Sequence, residues 1–550
     1  MFGNPVQVGA QISLDGKWLA WLAPKDGVLN VWIAPADKPD QGQVLTQAKD
    51  RPIYEYFWAP DSSSILYVND NAGDENYVLY KVAVSGEHAG VARRLTPAEK
   101  TQVQIVGINQ NVKDRILIGL NNRDPRHFDV YSLDLASGKL TEVFYNRLGY
   151  SNFLTDGDLR LRIVTGEDSQ GNTELYWVHG DSVDNRAFAS VPFSDFSTTR
   201  PLGFSRDGNT LYWLDSRGRD TAAFVAQDLP SGARKVLGED AHADVSDVQI
   251  DLATGLPEGY ATEYQKTQWT ALSPAFKDDL AFLGGKLDAP FRVTSKSADN
   301  QRWLVVAESP TQPGTSYLYD RSGPSLKELF VSNPALAKAP LARMFPRNIV
   351  TRDGLTQVAY LSLPPGSDKK VSGIPDRPLP LVLLVHGGPW ARDSYGFRAE
   401  HQWLANRGYA VLSVNFRGST GFGKRFLSAA NQQWGAKMQD DLLDATEWAI
   451  RNGVAGKDRI AIMGGSYGGY ATLVGLTQTP ERFACGVDIV GPSNLLTLLE
   501  NLPPYWAGNT REFYQRIGDP TTEAGQLLLR ERSPLFKADA IRRPLLIGQG

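Results

Sequence analysis

The sequence predicts two unlike domains, an N-terminal β-propeller and a C-terminal α/β domain. Three observations predict them. A strand–turn–strand punctuation recurs about every 45 to 50 residues through the first half, the period of a four-stranded blade. After Pro346 the pattern changes to short apolar strands separated by helical stretches. One of those strands runs through a G-x-S-x-G turn into a helix.

The punctuation is clearest at Ser13-Leu14-Asp15-Gly16-Lys17-Trp18, Ala59-Pro60-Asp61-Ser62-Ser63-Ser64 and Ser205-Arg206-Asp207-Gly208-Asn209-Thr210. In each, Asp-Gly or Asp-Ser supplies tight-turn geometry, and the alternating apolar residues that follow supply a half-buried strand. Weaker copies centre on Lys113-Asp114, Asp156-Gly157 and Asp299-Asn300, and a further strand follows most of them, as at Val78-Leu79-Tyr80 and Val130-Tyr131-Ser132-Leu133. Six or seven blades are predicted over residues 1–335. An irregular array of β-sandwiches is the alternative, and sandwiches rarely keep so even a period.

Residues 336–346, rich in Pro and Ala and without strand alternation, read as a linker. In the domain that follows, 347–550, strands are predicted at 357–363, 379–385, 410–415, 459–463, 486–490 and 544–548. A helix over 440–451 places Leu442, Leu443, Ala445, Trp448 and Ala449 on one face. Asp440 and Asp441 begin it, where acids suit the positive end of the helix dipole.

The chemistry lies in this second domain. Ile460-Ala461-Ile462-Met463 runs into Gly464-Gly465-Ser466-Tyr467-Gly468-Gly469 and then a helical stretch, the setting of a nucleophile elbow. So sharp a turn presses backbone against backbone, which explains glycine at 464 and 468, and it lifts Ser466 above the sheet at a helix N-terminus. Strand 379–385 ends in His386-Gly387-Gly388-Pro389-Trp390, the His-Gly-Gly loop that provides an oxyanion-hole amide in many α/β-hydrolases. The other amide is that of Tyr467. The C-terminal domain is therefore expected to be an α/β-hydrolase.

Composition narrows the partners. Lys plus Arg is 57 against 61 Asp plus Glu, a net charge of −4 that provides no basic surplus for nucleic acid or an anionic membrane. The longest strongly apolar run, 379–385, is far short of the roughly 20 residues that cross a bilayer, so a soluble protein is expected. Met1-Phe2-Gly3-Asn4-Pro5 has neither the basic start nor the apolar stretch of a secretory signal, and the compartment, cytoplasmic or periplasmic, stays open. The single cysteine, Cys485, excludes an internal disulfide and a Cys-rich metal site and reads as a small core residue. Gly418-Ser419-Thr420-Gly421-Phe422-Gly423-Lys424-Arg425 fits a phosphate loop except at its last position, where Arg425 replaces the hydroxyl that holds magnesium, and nucleotide hydrolysis is set aside.

Four segments together make the sequence resemble the prolyl oligopeptidase family of serine peptidases. They are His386-Gly387-Gly388-Pro389, Asn415-Phe416-Arg417-Gly418-Ser419-Thr420-Gly421-Phe422-Gly423, Gly464-Gly465-Ser466-Tyr467-Gly468-Gly469 and Pro544-Leu545-Leu546-Ile547-Gly548-Gln549-Gly550. The likeness is closer to the acylaminoacyl-peptidase and bacterial dipeptidyl-peptidase branches than to prolyl endopeptidase proper. It implies an acyl-enzyme on Ser466, oxyanion-hole amides from Gly388 and Tyr467, and no metal or organic cofactor. Short peptides are the implied substrates, cleaved to acyl-amino acids, dipeptides or internal fragments, with the propeller screening out folded proteins. The resemblance also implies an apolar specificity pocket from Pro492, Leu495, Tyr505, Trp506 and Phe513, and an anchor for the substrate amino terminus at Glu75. Ordinary loop packing and a solvated acidic turn are the alternatives for these positions. The oligomeric state is open, and a homo-oligomer is allowed.

In this fold the triad acid and histidine follow the serine. All six histidines, His88, His127, His179, His242, His386 and His401, precede Ser466, so the triad Asp and His are expected beyond Gly550, in a native chain that continues. If the chain ends at Gly550, Ser466 has no general base and the protein is an inactive propeller scaffold. A carboxylesterase of the same fold is the remaining reading. His386, at a strand end, reads as structural, and His401, in a helix over 398–406, as a surface or packing residue. Asp440 and Asp441 read as helix-capping groups or partners of Arg417.

Overall fold

Five of the six aspartates of the repeated punctuation close a turn with their own side chains, and the sixth, Asp114, meets the Arg115 side chain instead. Lys17, Ser63, Asp158, Asn209 and Gln301 donate their backbone N–H to the carboxylates of Asp15, Asp61, Asp156, Asp207 and Asp299, two residues earlier, over 3.0–3.1 Å. This side-chain mimic of a turn is why aspartate recurs there. Every one of these turns joins the first and second strands of a blade. The computed structural model describes residues 2–70, 72–97, 99–502, 506 and 510–549. Within it the ring has seven antiparallel blades, at 8–44, 55–94, 103–144, 152–191, 200–238, 245–271 and 291–331. The sixth, which carries no obvious punctuation in the sequence, turns through a longer segment where Asp251 accepts from Ala253 and Thr254, and a helix, Pro274–Lys286, follows its three strands.

Each blade is one uninterrupted stretch of chain, so the first and seventh blades share no sheet. They meet through Val6 N–H to Ser332 O (2.8 Å), Ala298 N–H to Leu14 O (2.8 Å) and Ile12 N–H to Ser295 Oγ (3.1 Å). Ile12 and Leu19 pack with Leu304 across the same joint.

The second domain is a seven-stranded sheet of β1 (Met344–Val350), β2 (Thr356–Ser362), β3 (Leu379–Val385), β4 (Ala410–Val414), β5 (Ala455–Gly465), β6 (Cys485–Ile489) and β7 (Leu545–Gly548). Their order is β1-β2-β4-β3-β5-β6-β7. β2 is antiparallel to both neighbours, and β3 to β7 run parallel. β1 begins inside the segment expected as linker, because Pro346, which argues against a central strand, is tolerated on an edge strand that pairs only with β2. Cys485 opens β6 half-buried, so it is not the closed core residue expected of it.

Four helices matter to the site: α1 (Ala399–Asn406), α2 (Lys437–Arg451), α3 (Tyr467–Gln478) and α4 (Thr510–Arg516). α2 starts three residues before the expected 440, so Asp440 stands in its first turn but, like Asp441, not at the capping position. Asp440 instead pairs with Arg352 at 3.0 Å, and Asp441 turns inward to Arg417. Leu442, Ala445 and Ala449 are fully buried against the sheet, as their spacing requires.

The Gly-rich loop that imitates a phosphate site is a fastening between the domains. Lys424 Nζ lies 2.6 Å from Asp195 and 3.0 Å from the Ser216 carbonyl, and Arg425 pairs with Asp220 at 2.9 Å. Both lysine and arginine are thereby committed to the propeller.

Candidate active site

Ser466 sits between β5 and α3 with φ 55° and ψ −118°, in the left-handed region that a residue with a side chain rarely occupies. The strain is held from several sides. Its N–H donates to Ile489 O of β6 at 2.9 Å. A Cβ on Gly464 would lie 2.5 Å from Val385 O, and one on Gly468 would lie 2.1 Å from the same oxygen. Gly469, which sequence reasoning passed over, is as constrained: a Cβ there would meet Asp488 Oδ1 at 2.2 Å. That carboxylate accepts the Gly491 N–H at 2.9 Å. Because the obstacle at Gly468 is backbone, Gly468→Ala is expected to cost about 3 kcal/mol, read as a shift of the urea midpoint at unchanged slope.

The His-Gly-Gly loop lies against this elbow. A Cβ on Gly387 would stand 3.2 Å from Gly465 O and 3.4 Å from Ser466 Cβ. Gly388 has φ +115°, and a side chain there would press to 2.7 Å on Trp390 N. The Tyr467 amide opens α3, where the first helical N–H groups have no partner within the helix. The structure thus brings together Ser466, the Gly387-Gly388 loop and the α3 N-terminus.

Beneath the elbow, aromatic rings fix its height. His386 stacks on Phe416 (4.5 Å), Phe416 on Tyr467 (5.2 Å), and Trp434 meets Tyr467 edge-on (4.7 Å). Burial holds the Tyr467 phenol well above its usual range. His386 is occupied by the Gly387 carbonyl at Nδ1 (2.7 Å) and by Ser419 Oγ at Nε2 (3.0 Å). His401 is buried between Ser362 and Ser413, a packing and not a surface residue, and burial pushes its pKa down to about 3. Among the described residues no hydrogen bond links a histidine to Ser466.

Arg417 braces the loop on the far side. Its guanidinium, 3% exposed, makes paired hydrogen bonds of 2.7–2.8 Å to Asp441 and of 2.9 Å to Asp353. Arg417 holds the Asp353 carboxyl well below its usual range.

The expected pocket is partly assembled. Phe513 lies between Trp506 (5.7 Å) and Trp390 (5.6 Å), the residue after His-Gly-Gly-Pro and one that sequence reasoning left without a role. Pro492 is half-buried at the end of β6. Leu495 offers no surface: it is fully buried in the domain core, with its N–H on Ser533 Oγ, because it opens a short helix whose apolar face turns inward. Tyr505 lies outside the described residues. Glu75 is exposed in the loop between the second and third strands of blade 2, where its carbonyl accepts from Gln102 and its N–H donates to Asp70.

Comparison with known proteins agrees with this arrangement. Residues 395–550 match the sequence model of the prolyl oligopeptidase family. The whole chain is 48% identical to dipeptidyl aminopeptidase BIII of Pseudoxanthomonas mexicana, covering 79% of that protein. It is 35% identical to dipeptidyl peptidase family member 6 of Caenorhabditis elegans, again over all of this chain and 78% of the relative. The solved structure of a Mycobacterium tuberculosis puromycin-hydrolyzing peptidase superposes with a TM-score of 0.76, covering 99% of this chain and 85% of its own, at 19% identity, a likeness of fold.

Proposed function

The chain belongs to the prolyl oligopeptidase family of serine peptidases, and from that premise we propose that it releases dipeptides from short peptides through an acyl-enzyme on Ser466. The carrying observation is the strained backbone of Ser466, at φ 55°, packed against the His-Gly-Gly loop, since such strain persists only where the surroundings impose it.

In this reading Ser466 Oγ attacks the carbonyl carbon of the scissile bond. The carbonyl oxygen becomes an oxyanion, held by the N–H groups of Gly388 and Tyr467. A general base takes the hydroxyl proton and delivers it to the departing amine, and water then hydrolyses the acyl-enzyme by the same route. With His386 and His401 committed elsewhere, the base is assigned to an Asp–His pair from outside residues 1–550. The propeller covers the site and admits only short chains.

The residue before the cleaved bond is placed against Phe513, Trp506 and Trp390. Phe513→Ala is expected to raise KM for a substrate apolar at that position about tenfold, with kcat nearly unchanged. The nucleophile itself is tested by intact mass spectrometry of the natively expressed protein after a fluorophosphonate probe. An adduct mapped to Ser466 supports the reading, and an adduct elsewhere, or none, overturns it.

A further inference from the structure

Residues 389–397 lead away from the oxyanion glycine and pass along the propeller before α1 begins. Their tie to Gly388 is steric. A side chain on Gly388 would lie 2.7 Å from Trp390 N, 3.1 Å from Ala391 N and 3.2 Å from Ala391 Cβ, so Gly388 rests directly on Ala391. Within its own domain this stretch is held at two points. Thr420 donates its N–H to Ala391 O at 2.9 Å, and the Asp393 main chain exchanges hydrogen bonds of 2.7 and 3.1 Å with the buried Asn415 side chain. The Tyr467 amide, by contrast, is placed by α3 and the elbow alone.

The propeller supplies a further hold on the same stretch. Arg392, next to Ala391, donates from Nη1 to Glu263 O at 2.7 Å and from Nη2 to Tyr264 O at 3.0 Å, where the second strand of blade 6 turns into the third. Glu263 pairs with Thr267 across that hairpin, so the acceptors are main-chain groups whose place the ladder sets. A guanidinium donating through a rigid fork to two such carbonyls has its own place set by them. The Phe422 ring, 4.4 Å away, backs it from the hydrolase side. Two more propeller groups reach the segment: Lys266 Nζ stands 4.3 Å from the centre of the Tyr395 ring, and the Glu308 carboxylate of blade 7 accepts the Phe397 N–H at 3.3 Å.

We propose that Arg392 is a positioning residue for the oxyanion hole: by gripping blade 6 it holds Ala391, and through that contact the Gly388 N–H, where the oxyanion forms. One of the two amides then takes its place from the propeller, and the hole is complete only with the two domains docked. The assignment rests on Ser466 as nucleophile and Gly388 as donor. An amide displaced by about 1 Å loses much of its hold on the oxyanion, while the apolar contacts around Phe513 are unchanged, so the loss falls on the transition state and not on substrate binding.

The test uses the full-length protein and Gly-Phe-p-nitroanilide. Arg392→Met, which keeps an unbranched side chain without its donors, is expected to lower kcat about 100-fold and to leave KM within about twofold. The rate of fluorophosphonate labelling at Ser466 is expected to fall in parallel, because the phosphoryl oxygen of the probe enters the same hole without using the aromatic pocket. Lys424→Met cuts a different tie to the propeller, at Asp195 and Ser216, and is expected to move kcat and labelling by less than about twofold. A wild-type kcat in Arg392→Met, a loss confined to KM, or an equal loss in Lys424→Met overturns the positioning role and leaves Ser466 standing. Should Arg392→Met fail to fold, the exposed Lys266 carries the test: Lys266→Met is expected to lower kcat about fivefold at unchanged KM, and an unmoved kcat overturns the role. Absence of labelling in the wild type overturns the nucleophile, and the assignment with it.

Discussion

Replacing Ser466 with alanine is expected to lower kcat for peptide hydrolysis by about 10⁴-fold or more in the full-length protein, leaving at most the slow turnover that an oxyanion hole and binding sustain without a nucleophile. The fold is expected to survive, because among the described residues the Ser466 hydroxyl makes no hydrogen bond and the strained turn is held by Gly464, Gly468 and the Ile489 carbonyl. Steady-state kinetics beside a thermal melt separates the two effects. A variant that keeps a tenth of the activity would place the nucleophile elsewhere.

The second large effect falls on stability. Arg417→Met removes the cation from between two carboxylates, and Asp441, 1% exposed, is left as a buried charge without a counter-ion. Breaking one side of a buried ion pair costs about 3–5 kcal/mol, well above the worth of a surface pair. In the variant, burial, with the charge of Asp353 adding to it, outweighs the remaining backbone N–H of residue 417 and raises the folded-state pKa of Asp441 above the unfolded value. The protonated carboxyl is then the tolerated form, so the deficit is expected to shrink as pH falls and to be largest above neutrality. Denaturant midpoints at pH 5 and pH 8 give the measurement, and an equal loss at both would assign the damage to packing.

Much of the architecture is legible in the sequence because local chemistry determines it. An aspartate that folds back onto the N–H two residues on closes the first turn of five blades, and blade 6 escapes notice because its Asp251 turn is longer and lacks the Asp-Gly pair. The elbow is legible for a steric reason: only glycine fits at 464 and 468 against Val385 O. Pro346 hides β1, since a proline inside a strand signals an edge only once its neighbours are known. The pocket is least legible. Leu495 and Phe513 are both apolar and close in sequence, yet one packs inward and the other meets Trp390, and helix orientation decides between them. Arg392 reaches blade 6 only because two domains meet there, and no local pattern announces it.

The joint between blades 1 and 7 gives the ring the character of a necklace with a clasp instead of a welded hoop. Val6, Ile12 and Ala298 fasten it by a few hydrogen bonds, and Leu304 by apolar contact, while every blade keeps its own ladder intact. The circumference can therefore widen at one place without any sheet surrendering a strand, a freedom denied to a ring whose last blade borrows an edge from its first.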